Sequence, residues 1–112
     1  MQIQINSDHH IHASPELAGH VQALVRDALE RYSDRITRVE VHLNDLNSVK
    51  GGTDKRCMME ARFGGLGPVA ANHEAENLDL AINGAIEKLE RAIEHKLGKL
   101  AVSATGKRSV NQ

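Results

Sequence analysis

Residues 77–100 read NLDLAINGAIEKLERAIEHKLGKL, and this stretch decides what the rest of the chain must supply. Apolar residues recur at Leu78, Ile82, Ala85, Leu89, Ile93, Leu97 and Leu100, the three-and-four spacing of a helix with one buried face. Lys88, Arg91, His95 and Lys99 follow at steps of three, four and four and line up along a second face. Glu87, Glu90 and Glu94 make a third. At about 100° per residue the basic and acidic stripes fall on opposite flanks of the apolar one. A soluble helix needs polar cover, but it does not need that cover sorted by sign. The sorted charge presents a positive ridge to something anionic, and the apolar stripe needs a second layer to bury it.

That second layer is legible upstream. Gln2–Ser7 alternates polar and apolar residues with Ile3 and Ile5 inward, the period of a half-buried strand. Ser14-Pro15-Glu16 opens a helix, with Ser14 as N-cap, Pro15 at the first position and an acid in the first turn. Leu17, Val21, Val25, Ala28, Leu29 and Tyr32 hold one face of it until Ser33-Asp34 breaks the pattern. Ile36–Asn44 alternates again, with Val39, Val41 and Leu43 on one side and Arg38, Glu40 and His42 on the other. Asp45–Asp54 reads as a loop, and Lys55–Phe63 as a third strand with Cys57, Met59, Ala61 and Phe63 inward. Gly64–Pro68 reads as a turn, and Val69–Ala75 as a shorter fourth strand before the Asn77–Leu100 helix.

The order is β-α-β-β-β-α. The helical crossover makes the first two strands parallel neighbours, and the short later connections make hairpins. The predicted fold is α+β: a two-layer sandwich of a four-stranded sheet with two helices on one face and a polar surface on the other. Residues 1–100 form one domain, and residues 101–112 are expected to be a flexible tail.

Composition narrows the function classes. A chain of 112 residues supports one core. No signal peptide is evident in Met1–Asp8, and no segment approaches the roughly 20 continuous apolar residues that span a bilayer. The single cysteine, Cys57, cannot form an internal disulfide, which fits a reducing cytoplasm. Fourteen basic against fifteen acidic side chains leave a formal charge of −1, so affinity for a polyanion must come from local segregation. One Tyr, one Phe and no Trp leave almost no stacking surface for single-stranded bases. His9, His10 and His12 cluster after the first strand, and His42 and His73 could approach them, but no cysteine pair completes a zinc set. Gly64–Gly67 joins two strands, whereas a phosphate loop must precede a helix. No constellation meets the geometric roles of an active site, and neither an enzyme, a cofactor nor a small-molecule substrate is expected.

Several segments, taken with this order of elements, resemble the ribosome hibernation promoting factors, also called ribosome-associated inhibitor or sigma-54 modulation proteins. They are His9-His10-Ile11-His12-Ala13-Ser14-Pro15 ahead of the first helix, Asp34-Arg35-Ile36-Thr37 ahead of strand two, and Ala81-Ile82-Asn83 and Lys88-Leu89-Glu90-Arg91 in the last helix. The resemblance covers about residues 1–100 and is to the short form, without a further C-terminal domain. It implies a fold akin to double-stranded-RNA-binding domains. It also implies docking on the small ribosomal subunit and the 70S ribosome near the decoding centre, through 16S rRNA, where mRNA and tRNA would lie. Carried over by position, Lys88 and Arg91 match, while Arg26, Arg31, Lys96 and Lys99 are nearby basic residues. His95 stands where a lysine is usual, and Asp79 where an aromatic stands.

The expected function is therefore a cytoplasmic, non-enzymatic translation inhibitor of stress or stationary phase. It would hold rRNA phosphates with Arg26, Arg31, Lys88, Arg91, His95, Lys96 and Lys99, and would not engage membranes. Structured RNA is gripped through phosphates and 2′-hydroxyls by such side chains, without aromatic platforms. The alternative is a protein-interaction or stress-regulatory module of the same fold, in which Glu87, Glu90 and Glu94 serve a protein partner. A homodimer is compatible with that alternative and is not predicted.

Overall fold

The computed structural model describes residues 1–46 and 54–104, with side chains through Leu100. The elements are β1 (Gln2–Ser7), α1 (Pro15–Leu29, tightening into a 3-10 turn over Glu30–Tyr32), β2 (Ile36–Asp45), β3 (Lys55–Phe63), β4 (Leu66–Ala75) and α2 (Leu78–Ala104). The sheet order is β1-β2-β3-β4. β1 runs parallel to β2, pairing Ile3 with Val39 and Ile5 with Val41, and the other two pairs are antiparallel. This is the α+β sandwich that the alternation predicts, with β1, β2 and β3 within one residue of the expected bounds.

Local chemistry sets the helix starts. Leu17 N donates to Ser14 Oγ at 3.1 Å, and Ser14 has extended backbone, so the expected cap and the Pro15 start both form. Asn77 does the same for α2, its Oδ1 accepting from Leu80 N at 2.9 Å. Val21, Val25 and Leu29 of α1 and Ile82, Ala85, Leu89 and Ile93 of α2 bury against Val39, Val41, Leu43, Cys57, Met59 and Ala61 of the sheet. Each large aliphatic side chain so buried contributes about 1.5–3 kcal/mol before entropy is counted.

Three features differ from the sequence expectation. β4 starts at Leu66 because the turn is only Gly64-Gly65, where Gly65 takes a positive φ of 84°. Phe63 pairs with Leu66 but Ala61 with Val69, so Gly67 and Pro68 oppose Arg62 in a bulge on the edge strand. A proline is tolerated at such a place because no ladder hydrogen bond is required of it. Next, α2 continues to Ala104 rather than ending at Leu100, with no proline or glycine between Leu100 and Gly106 to stop it. Residues 105–112, the rest of the expected tail, lie outside the described residues, as does most of the expected 45–54 loop. The third difference is on the buried face of α2, which also takes in Ala81 and Ile86 but leaves Leu100 36% exposed. The helix is about 40 Å long at 1.5 Å per residue, and the longest strands reach only about 33 Å, so its last turns run past the sheet.

The seat of α2 on β4 depends on one glycine. His73 lies on the helix-covered face, opposite Cys57 of β3, and its ring packs against Gly84. A β-carbon at residue 84 would lie 2.1 Å from His73 Cδ2 and 2.4 Å from Cγ. In an open helix Gly→Ala is stabilising by about 1 kcal/mol. Here we expect Gly84→Ala to destabilise by roughly 1–3 kcal/mol, the usual cost of overpacking. Urea unfolding should show a lowered midpoint for Gly84→Ala and recovery in the Gly84→Ala/His73→Ala double variant.

Candidate functional site

The rotation of α2 about its own axis is set by its apolar stripe, and the charges follow. The acidic stripe faces α1. Arg31, Glu87, Glu90, Arg91 and Glu94 line one shallow groove between the helices, and Asp27, Ala28, Glu30, Arg31 and Glu90 line its continuation. Taken together that groove carries five carboxylates (Asp27, Glu30, Glu87, Glu90, Glu94) and two guanidiniums. Arg31 Nη2 lies 3.6 Å from Glu94 Oε2, and Arg91 Nη2 lies 3.9 Å from Glu87 Oε1. Both pairs are well exposed and worth well under 1 kcal/mol each, so their meaning is the sign of the surface rather than stability. Arg31 also lies over the Tyr32 ring, 4.8 Å from its centroid.

The basic stripe faces the other way, over β4. Lys88 is exposed, and its Nζ donates to the carbonyl of Asn72 at 3.4 Å. Lys96 Nζ lies over Gly67, 3.4 Å from where a β-carbon would stand. His95 and Lys99 are exposed on the same helix. Among the described residues none of Lys88, His95, Lys96 and Lys99 is within ion-pair distance of a carboxylate. Arg26 lies in an adjoining recess with Met1, Ala23, Asp27, Glu30 and Ser33, which shares Asp27 and Glu30 with the acidic groove. The seven residues singled out in the sequence therefore divide into three places: four on the β4 flank of α2, Arg31 and Arg91 in the acidic groove, and Arg26 beside the N-terminal residue.

The outer face of the sheet is self-neutralised. Arg38 pairs with Glu40 at 3.1 Å, Arg62 with Glu60 at 3.1 Å, and Arg56 with Glu74 at 3.2 Å, while Glu40 also meets His42 at 3.4 Å. Gln4 accepts from Arg38 across the β1–β2 ladder. Alternation placed these residues outward, but their pairing depends on strand register and was not legible locally.

The histidines do not converge. His9 and His10 stack with ring centroids 4.1 Å apart, His42 is on the outer face, and His73 is under α2 three strands from β1. Among the described residues no group of three or more His, Cys, Asp or Glu side chains is placed to hold a metal ion. The loop after β1 is instead organised by Asp8, whose Oδ2 accepts from Asp45 N at 2.8 Å and whose Oδ1 accepts from His10 N at 3.0 Å. The Asp45 amide is the main reason the Asp8 carboxyl is held below the ordinary carboxylate range.

The family described as sigma 54 modulation protein / S30EA ribosomal protein matches residues 3–101. No curated protein matches the sequence. Among solved structures, the N-terminal domain of Protein Y from Thermus thermophilus is similar with a TM-score of 0.68 at 21% identity, over 85% of this chain and 98% of that one. A ribosomal subunit interface protein from Coxiella burnetii is similar with a TM-score of 0.62 at 20% identity, over 87% of this chain and 99% of that one. At such identities the two likenesses establish a shared fold.

Cys57 is the remaining reactive group, and its chemistry is suppressed. It is fully buried between β2 and β4, and burial pushes its thiol from about 9.0 up to about 12. The buried form is the neutral one, so an unfolded chain would release this proton first. Stability from this residue is complete below about pH 9 and is lost as pH rises toward 12. A disulfide reagent at pH 8 should therefore leave Cys57 unmodified in the native protein and label it within seconds once urea unfolds the chain. Rapid labelling of the folded protein would contradict this burial.

Proposed function

Because the chain belongs to the sigma 54 modulation protein / S30EA ribosomal protein family, we propose that it is a ribosome-associated factor that silences translation in idle cells. In this reading it docks on the small subunit of the 70S ribosome near the decoding centre, grips 16S rRNA through phosphates, and occludes the path of mRNA and tRNA. It acts by occupancy, not catalysis, in the cytoplasm where ribosomes work. The observation that carries the reading is the family match across residues 3–101. The name of the Coxiella burnetii structure, a ribosomal subunit interface protein, points to the same assembly.

The physics of the surface supports phosphate as the ligand. Lys88, His95, Lys96 and Lys99 lie along one helix with no carboxylate to neutralise them among the described residues, and Arg91 is held by a single exposed glutamate. The chain lacks the aromatic platforms that grip single-stranded bases, with one Tyr and one Phe in all. No helix among the described residues is long and apolar enough to cross a membrane. Three or four phosphate contacts give a salt slope of about −3, so binding falls roughly tenfold for each doubling of salt.

The second reading, a protein-interaction module of the same fold, is favoured by one observation: the inter-helix groove is acidic, with five carboxylates to two guanidiniums. Co-sedimentation on sucrose gradients separates the two. Under the ribosomal reading the protein migrates with 70S particles and small subunits at low salt, is released at moderate salt, and slows translation in a cell-free system. A protein that stays at the top of the gradient at low salt and leaves translation unchanged sinks the ribosomal reading and favours the second.

A further inference from the structure

We propose that RNA is held on one side of the molecule only, in the corner between the basic flank of α2 and the free edge of β4, with the inter-helix groove turned away from it. The inference rests on the proposed function for its choice of RNA as the partner, and narrows the contact to a surface that the resemblance does not single out. A two-helix contact, with Arg26 and Arg31 joining the lysines, is what the resemblance implies; this chain's charges oppose it.

The first argument is sign. A phosphate laid across both helices would enter the groove lined by Asp27, Glu30, Glu87, Glu90 and Glu94. Successive carboxylates along the groove stand about one to two helical turns apart, roughly 5–10 Å, comparable with a screening length of about 8–10 Å, so neighbouring ones repel an anion together. Arg31 is held against Glu94 and Arg91 against Glu87, which leaves neither as an unopposed cation. On the β4 side the balance is reversed. Lys88, His95, Lys96 and Lys99 have no ion-pair partner among the described residues, and β4 carries no acidic side chain between Leu66 and His73.

The second argument is access. Gly67 and Pro68 are exposed at the start of β4, and the short side chains of Ala70 and Asn72 turn to the outer face, alternating with helix-facing Val69, Ala71 and His73, so a sugar-phosphate backbone can approach the strand edge closely. β4 is the edge of the sheet. Asn72 turns its carbonyl to that edge, where Lys88 Nζ reaches it at 3.4 Å. By the two-residue alternation of a strand, the amide groups of Ala70 and Asn72 share this free edge. They are fixed donors of the kind that position phosphates without reading sequence. Lys88 and Lys96 already bracket the strand at Asn72 and at Gly67.

The third argument is length. Lys88 to Lys99 spans about 16 Å of helix, and Gly67 to Asn72 spans about 16 Å of strand. Cations and edge donors thus run side by side over the same length of about 16 Å, long enough to follow several successive phosphates of one strand. Lysine suits such a row because it acts as a mobile point charge and needs no fixed fork geometry.

The test uses the full chain, 70S ribosomes in sedimentation, and an RNA duplex of about 16 base pairs in fluorescence anisotropy. Circular dichroism and urea midpoints confirm that each variant folds. We expect Lys88→Glu/Lys99→Glu to weaken binding at least tenfold and Arg26→Glu/Arg31→Glu to change it by less than about twofold. Lys88→Gln/Lys99→Gln should lower the salt slope by about two. If the arginine pair costs as much as the lysine pair, or the lysine pair costs nothing, the one-sided contact is wrong, whether or not the wild type binds ribosomes. If the wild type binds duplex through Lys88 and Lys99 but not ribosomes, the surface stands and the ribosomal reading falls. Binding to neither probe overturns the proposal.

Discussion

The packing of the α2 stripe on β3 and β4 is the constraint from which the rest of the molecule follows. Ile82, Ala85, Leu89 and Ile93 are all fully buried, and burying them fixes the rotation of the helix. The His73 ring against Gly84 removes the remaining freedom, because the helix can neither roll toward β4 nor slide along it without moving that ring. Once the roll is fixed, the direction of every charged side chain on the helix is a consequence. Lys88 must look over β4, and Glu94 must look at α1.

This dependence explains what was legible in the sequence. Strand alternation is a local signal, and β1, β2 and β3 were readable from it to within a residue because one face of each is apolar and the other polar. The cap at Ser14 is equally local, whereas Asn77, read as the first residue of the last helix, caps it from outside. β4 was read three residues short because its first turn holds Gly67 and Pro68, residues that signal a loop unless the bulge opposite Arg62 is known. The sorting of charge on α2 was also legible, since helical angles alone place Lys88 and Glu94 on different flanks. What periodicity cannot say is which neighbour each flank faces. Arg26 and Arg31 were grouped with the lysines because the resemblance implies basic contacts on both helices; the first helix presents them to a different surface from the lysines, with Arg31 set against Glu94. Inter-element orientation is a property of packing between distant segments, and no window of sequence contains it.

The two faces of the molecule treat charge in opposite ways. Outside the sheet, Arg38, Arg56 and Arg62 each meet a glutamate, so that face is closed electrostatically. On the helical layer the same near-equal numbers of acids and bases are segregated, so the field does not cancel locally. A formal charge of −1 is thus compatible with a strongly positive strip, and the net value says little about the surface that meets a partner.

Segregation of this kind supplies orientation more than affinity. A uniformly basic domain can meet a polyanion through many faces, each with similar energy, and it finds the productive one by search. Here the acidic groove lies on the opposite flank of the same helix from the lysines. A phosphate surface that attracts one flank repels the other, and the wrong approach is penalised as well as the right one favoured. The cost is a weak grip, because few cations contribute and the acidic flank subtracts from them. On the proposed ribosomal reading, a contact that is oriented, shallow and readily screened by salt suits a factor that has to be released better than a tight one does. The sorted helix delivers those properties from a single structural decision, the roll of α2 on the sheet.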